Sequence, residues 1–275
     1  MNRMTELYVT KLSGEREQFS EQKLRNALEH AAVVPHLIDE TVEYVKTHIR
    51  DGIPTSEIYR LAFSHLHSKE QGSAGRYGLR KAIMELGPDG HPFEDLVGQV
   101  FKVQGFSVET SVVLSGKCVQ HEVDVVAVKG DRKIMVECKF HHAQEIKSDV
   151  KVALYVQARF EDLKDIHGFT EVWLVTNTKL SYDAIQYARC SGMHAVGWSY
   201  PKEGSLQHLV EQAELHPITC LQSVTTAQRR LWLDGGIITC KDVQEKPNAF
   251  LIANIQEKQR IKILAEIAMV CGKNI

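Results

Sequence analysis

The sequence predicts an α/β fold, with a mixed sheet at the centre and helical segments before and after it. Three observations carry that expectation. Residues 121–129 (HEVDVVAVK) and 132–140 (RKIMVECKF) are rich in β-branched side chains and alternate around Gly130-Asp131. Residues 93–198 change period in the order helix, three strands, helix, strand, helix, strand. The flanking stretches 24–86 and 225–270 carry helical spacing instead.

The elements follow in chain order. YVTKLSGEREQF (8–19) offers two short β-prone pieces around Ser13-Gly14. Leu24, Ala27, Leu28 and Ala31 then repeat at helical spacing. A second helix covers residues 37–50 and stops near Gly52-Ile53-Pro54. Thr55 or Ser56 is expected to cap a third helix bearing Ile58, Leu61, Ala62 and Leu66, and residues 73–86 read as a fourth. GPDGH (87–91) is the strongest break in the chain. Behind it a helix with Phe93, Leu96, Val97, Val100 and Phe101 on one face carries Glu94 and Asp95 on the other. FSVETSVVL, the hairpin, a long helix around 145–165, the strand EVWLVT (171–176), a helix at 181–192 and the strand HAVGW (194–198) complete the middle. Short helices at 225–233, 241–244 and 256–270 surround a turn at Asp234-Gly235-Gly236. Three domains are expected: 1–88, 89–215 and a small helical module at 216–275.

A chain of 275 residues is long enough for two or three domains, and its apolar and charged fractions are ordinary. The formal net charge of −2 means that any polyanion partner is met by a local patch. Six cysteines, at positions 118, 138, 190, 220, 240 and 271, form no CxxC pair. They speak against a cysteine zinc site or a disulfide scaffold and read as reduced thiols in a cytoplasm. No apolar leader or membrane-length run is seen, so a cytoplasmic protein with no membrane partner is expected.

The hairpin carries the chemistry. With Gly130-Asp131 as a two-residue turn, Lys129 faces Arg132, Asp124 sits opposite Glu137, and Glu122 opposite Lys139. Alternation puts these four charged residues on one face, and Val123, Val125, Ile134, Val136 and Cys138 on the other. Carboxylates opposed on a strand pair repel by up to roughly 1 kcal/mol. A divalent cation would offset that, since Mg²⁺ accepts one or two carboxylates plus water and phosphate. Lys139 beside them would orient an attacking water or stabilise charge on phosphorus. The bland alternative is a solvated face on which Lys139 pairs with Glu122 and Glu137.

Asp124 followed by Glu137-Cys138-Lys139 resembles the D…(D/E)xK core of the PD-(D/E)XK nuclease superfamily. PFEDLVGQVFKVQGFSV (92–108) is similar to the opening of its Mrr-type restriction endonuclease domain, and the likeness covers about 89–200. The resemblance implies a restriction-endonuclease-like mixed sheet flanked by helices, and Mg²⁺- or Mn²⁺-dependent cutting of DNA. It implies Asp124, Glu137, Glu94 and the main-chain carbonyl of Cys138 as metal ligands and Lys139 as the catalytic lysine. Glu-Cys-Lys stands here where many Mrr members carry Gln-x-Lys.

The N-terminal stretch, through Val9, Lys11, Gly14, Phe19, Lys23 and Leu24, resembles an ATP-cone, a mostly helical nucleotide-sensing domain. AGRYGLRKAI (74–83) is similar to that family's closing helix. The resemblance implies ATP or dATP as an effector at Val9, Lys11, Gly14 and Lys23. A glycine turn lets backbone approach phosphate, and the lysines would neutralise it. Leu12 and Ser13 depart from the family's arginine and aspartate. ATP-cones commonly self-associate, and two cuts in a duplex need two active sites, so a homo-oligomer, dimer or tetramer, is expected. The implied protein is a nucleotide-regulated endonuclease suited to restriction or phage defence; the alternative is a non-catalytic, nucleotide-responsive DNA-binding regulator.

Weaker candidates remain. Gln157 resembles a helix residue some nucleases use near the site, but reads more simply as a surface glutamine. His141 and His142 point to opposite faces, so at most one would meet a phosphate. Arg229, Arg230 and Lys241 would be phosphate contacts if 218–243 gripped DNA, or else a solvated helix face.

Overall fold

The structure is a computed structural model and describes residues 7–11, 14–31 and 33–271. Leu12 and Ser13 lie outside the described residues. The chain divides into two compact units. One comprises residues 1–79, 220–224 and 256–275, the other residues 80–219 and 225–255. The stretch expected as a separate module, 216–275, is therefore shared between the two. The boundary falls at Leu79/Arg80, one helix before GPDGH.

In the first unit β1 (Tyr8–Thr10) pairs antiparallel with β2 (Arg16–Gln18), as the glycine turn predicts. Ser20 caps α1 (Glu21–His30) by accepting from Lys23 N–H, and Pro35 opens α2 (Pro35–His48). Ile53-Pro54, expected as a breaker, forms β3 and pairs parallel with Val9-Thr10. Asp51 holds the junction, accepting from Tyr8 N–H at 2.9 Å and pairing with Arg16 at 2.7 Å. Pro54, not Thr55, is the cap residue of α3 (Thr55–Lys69), with no side-chain cap bond, and the Ser56 side chain lies outside the described residues. The fourth predicted helix divides into α4 (Gln71–Tyr77) and α5 (Leu79–Met84). Gly78 separates them, and a Cβ there would lie 3.3 Å from both the Phe63 ring and the Tyr59 hydroxyl. Val9, Leu28, Leu37, Val42, Val45, Ile53 and Leu66 make the core.

The second unit holds a five-stranded sheet. Helix α6 (His91–Val103) buries Phe93, Leu96, Val97, Val100 and Phe101, the face the sequence predicts. Strands β4 (Ser107–Ser115), β5 (Gln120–Lys129) and β6 (Arg132–Lys139) follow, then β7 (Lys147–Ser148). Helix α7 (Val150–His167) is capped by Asp149 and closed by the left-handed Gly168. Next come β8 (Glu171–Thr176), β9 (Lys179–Leu180), α8 (Tyr182–Ser191) and β10 (His194–Val196). The sheet order is β10-β8-β6-β5-β4. The β4, β5 and β6 neighbours are antiparallel, and β6, β8 and β10 run parallel, which is the mixed sheet expected. Beyond α9 (Leu206–Gln212) come α10 (Thr226–Asp234), α11 (Cys240–Glu245) and α12 (Ala249–Ile252). Asp242 joins them to α6: its carboxylate accepts from Gln99 Nε2 at 2.8 Å and from the N–H groups of Ile238 and Thr239.

The last helix, α13 (Glu257–Val270), returns to the first unit and packs on α4. Gly75 permits the approach, since a Cβ there would come within 2.7 Å of Val270 Cγ2. Glu266, buried at 3 % exposure, accepts from Gln222 N–H at 2.6 Å, from Ser223 N–H at 3.0 Å and from the Ser223 hydroxyl. Its carboxylate ties residues 222–223 to α13. Replacing Glu266 with Ala removes the acceptor of two main-chain N–H groups and of the Ser223 hydroxyl and is expected to destabilise the first unit by about 1–3 kcal/mol. Denaturant unfolding, with hydrogen exchange at residues 222–223, checks this; a change below about 0.5 kcal/mol would remove Glu266 from the account.

Candidate functional site

The hairpin forms with the expected register. Gly130 takes a positive φ of 57°, Lys129 pairs with Arg132, and pairing runs to Val125↔Val136. There the β5–β6 ladder ends. Asp124–Glu137 and Glu122–Lys139 are therefore not ladder partners, as counting from the turn had placed them. Asp124 instead turns its carboxylate across the gap, where Oδ2 accepts from Cys138 N–H at 2.6 Å.

The neighbouring β4–β5 pairing breaks at the same point. Thr110↔Val125 and Val112↔Val123 are paired, but Ser111 and Asp124 between them are not. Ser111 adopts φ 54°, the left-handed region that non-glycine residues seldom enter. Val123 then packs in one cluster with Val126, Met135, Leu163 and Phe169. On an unbroken strand, residues three apart face opposite ways. The expected shared face of Val123 and Val125 is thus overturned by a local break centred on Asp124.

Arg159 of α7 closes the gap. Its side chain is 8 % exposed and that of Glu137 15 %. One guanidinium nitrogen donates to Glu137 Oε2 and another to the main-chain oxygen of Glu122. A single buried cation therefore bridges β5 and β6 where their ladder stops. Lys139 is exposed, and its ammonium makes no ion pair or hydrogen bond with the described residues. The reading in which it pairs with Glu122 and Glu137 is not what the structure shows. Glu94 stands at the start of α6, where the Phe93 and Phe140 rings meet at 5.6 Å. Its Oε2 accepts from Ser111 Oγ at 3.3 Å and lies 3.2 Å from His91 Nδ1.

The charges are strained. Burial, then the nearby Glu94 charge, raises Asp124 to about 6 against the pull of the Cys138 N–H. Burial and the Asp124 charge raise Glu137 as well, although Arg159 opposes the shift. Burial pushes the Cys138 thiol well above its usual value, so its sulfur stays protonated and its carbonyl is the donor to consider. Among the described residues no three His, Cys, Asp or Glu side chains gather as a metal-holding group. The candidate donors are the Asp124, Glu137 and Glu94 carboxylates and the Cys138 carbonyl. All are oxygens, and Mg²⁺ or Mn²⁺ accepts such a set when water and phosphate fill the remaining positions.

In the first unit the nucleotide candidates are near one another but engaged. Val9 is buried in the core. Gly14 has φ 82°, with open space where a Cβ would be. Lys11 lies 3.0 Å from Glu17 Oε2 and 3.1 Å from Glu15, while Lys23 lies 3.0 Å from Glu17 Oε1. A phosphate would have to compete with these glutamates. The minor candidates take structural roles. Gln157 donates to Glu161, and His141 meets Ser148 Oγ at 2.9 Å. Arg230 and Lys241 pair with Asp234 and Glu245 along their own helices.

Comparison with known proteins matches three consecutive segments of the chain. Residues 7–83 match the model of the ATP cone domain, 87–196 a restriction endonuclease domain, and 216–271 the AF1548-like C-terminal region. An uncharacterized protein of Archaeoglobus fulgidus is 36% identical over 180 residues, covering 64% of this chain and all of that protein. The crystal structure of AF1548, a protein of unknown function, is similar with a TM-score of 0.58 and 33% identity, over 68% of this chain and all of that one. The chain belongs to the AF1548-like family. In this member an ATP-cone domain precedes a restriction-endonuclease-like domain.

Arg159 is the site residue that motif reading passes over in this AF1548-like chain. A signal was present: Val156, Arg159 and Leu163 follow one buried stripe of α7, and a cation within an apolar stripe marks a buried ion pair. Ser111 had no such signal. Two outcomes follow. Arg159→Ala leaves a buried carboxylate unpaired and is expected to cost about 3 kcal/mol in metal-free buffer, with Mn²⁺ restoring part of it; equal loss with and without metal would separate Arg159 from the carboxylates. The second concerns pH. A folded-state value raised above the unfolded one means that Asp124 stabilises the fold at low pH and loses this as pH rises through about 6. Asp124→Asn is therefore expected to raise metal-free stability at about pH 8 by about 1–3 kcal/mol, with no gain near pH 4. Thermal denaturation in EDTA at the two pH values measures it, and a wild type at least as stable at both would contradict it.

Proposed function

We propose that this chain is a divalent-metal-dependent endonuclease that hydrolyses DNA phosphodiester bonds, with ATP or dATP bound to its ATP-cone as an effector. The observation that supports it most is the half-buried Asp124–Glu137 pair at the broken end of the hairpin, both members raised, with the Lys139 ammonium, unpaired among the described residues, at the end of the strand that carries Glu137. Two carboxylates kept apart from bulk water in this way are costly and are expected where a cation is taken up.

In this reading Asp124, Glu137, Glu94 and the Cys138 carbonyl would hold Mg²⁺ or Mn²⁺. The bound ion would polarise the scissile phosphate and lower the pKa of a coordinated water. Arg159 fixes the rotamer of Glu137 through one oxygen, leaving the other available. Lys139 orients the attacking water and stabilises the charge growing on the phosphate oxygens. Lys11 and Lys23, released from Glu17, neutralise the effector's phosphates. Such a nuclease suits restriction or phage defence in the cytoplasm, and cutting both strands of a duplex favours a homo-oligomer with two sites.

One observation favours a second reading, a nucleotide-responsive DNA-binding regulator without catalysis: Arg159 already neutralises Glu137, and no three-side-chain metal group is present among the described residues. Plasmid and linear DNA incubated with Mg²⁺ or Mn²⁺, with and without ATP and dATP, separate the two. Cleavage is expected to fall by about 100-fold or more in Lys139→Ala and Asp124→Ala, and Lys11→Ala is expected to weaken the nucleotide response alone. No cleavage in any condition, with DNA binding equal in wild type and variants, would establish the regulator instead.

A further inference from the structure

Beyond β6 and β8 the two strands stay together. Lys139↔Thr176 is their last paired position. Just past it Asn177 clamps His141, accepting from its N–H and donating to its carbonyl, both at 2.8 Å. The chains then pair again as β7 and β9, Lys147 with Lys179 and Ser148 with Leu180. Ser148 and Leu180 are buried, while Lys147 and Lys179 are exposed. Adjacent strands lie about 4.8 Å apart, so two lysine stems rise side by side from one small face.

Like charges placed directly opposite on paired strands are unfavourable, and here nothing from the described residues offsets them. Neither ammonium makes an ion pair or hydrogen bond with those residues. Asp149 is committed to capping α7 through the N–H groups of Lys151 and Val152. Glu145 and Asp183, the other acids nearby in sequence, form no ion pair with either lysine. The pair is also anchored, because the buried Ser148 hydroxyl meets His141 Nε2 at 2.9 Å and the Ser148 carbonyl accepts from Ser181 N–H. An anion shared between the two ammoniums is the partner this geometry lacks.

We propose that Lys147 and Lys179 form a phosphate clamp that grips the backbone of duplex DNA beside the cleavage centre. This rests on the reading of DNA as substrate. Lys179 follows three residues after Thr176, the partner of Lys139, a chain reach of at most about 11 Å. With one phosphate per about 3.4 Å of rise on each strand, the clamp takes a phosphate within about three nucleotides of the one at Lys139. It touches phosphate alone, so it supplies register and affinity without sequence preference.

Binding of the full chain to a labelled short duplex, in EDTA and over a series of salt concentrations, tests the clamp without requiring cleavage. The double variant Lys147→Ala/Lys179→Ala is expected to bind more weakly on every sequence. It is also expected to lower the slope of log K against log salt by about 1, since the two lysines share one phosphate and each phosphate neutralised adds about 0.9 to that slope. Lys102→Ala on α6 serves as the control and is expected to leave the slope unchanged. Lys179→Glu, which sets an acid opposite Lys147, is expected to raise Tm while weakening DNA binding further than alanine does, separating lost binding from lost folding. An unchanged slope in the double variant, with wild-type cleavage intact, overturns the clamp and leaves the nuclease reading standing. A slope that falls as expected in a protein that never cuts supports the clamp and removes the nuclease. Binding of duplex RNA but not DNA overturns the clamp as stated.

Discussion

Burial of two carboxylates at the point where β5 and β6 part is the constraint around which the second unit is arranged. Removing a carboxylate from water costs several kcal/mol unless it is paired and hydrogen-bonded. Three elements answer that cost. β6 donates its Cys138 N–H to Asp124, α7 supplies Arg159 to Glu137, and β4 leaves the ladder at Ser111 so that Asp124 can turn inward. Arg159 is itself buried, and its second terminal nitrogen finds a partner only because the same gap exposes the Glu122 carbonyl. The cap at Asp149 and the left-handed stop at Gly168 fix where α7 begins and ends, and with it where that guanidinium falls. The site is thus a set of mutual dependencies, each group being tolerable because the others are present.

A similar economy governs the C-terminal part of the chain. Residues 225–255 complete the unit that contains the sheet through the Asp242–Gln99 bond, and 220–224 with 256–271, held to each other by Glu266, complete the other through the packing of α13 on α4. Both carboxylates are buried, and both satisfy main-chain N–H groups that would otherwise have no partner. Neither unit is one continuous stretch of sequence. The AF1548-like C-terminal region matches as one segment, and its residues are divided between the two units.

The legible features were those with a local cause. Alternation around Gly130-Asp131 located the hairpin and its register as far as Val125↔Val136. Helical spacing located α1, α2, α6, α7, α8 and α13 within a few residues, and EVWLVT was the strand β8. The resemblances to an ATP-cone and to an Mrr-type domain were also correct. The misreadings share a different cause. Ile53-Pro54 looked like a breaker because its strand partner, Val9-Thr10, is more than forty residues away. The helix expected over 73–86 is interrupted at Gly78, beside the rings of α3.

By itself the sequence determined most of the strands and helices, where the hairpin turns, and which carboxylates and lysine lie towards its open end. These follow from side-chain periodicity and turn chemistry, which act over a few residues. Only the tertiary structure decided that the ladder stops at Val125, that Arg159 rather than Lys139 neutralises Glu137, and that Lys147 and Lys179 stand opposite one another. Each of these depends on packing between residues far apart in sequence. Such packing is selected by burial and by the need to satisfy every buried polar group, and no local pattern encodes it.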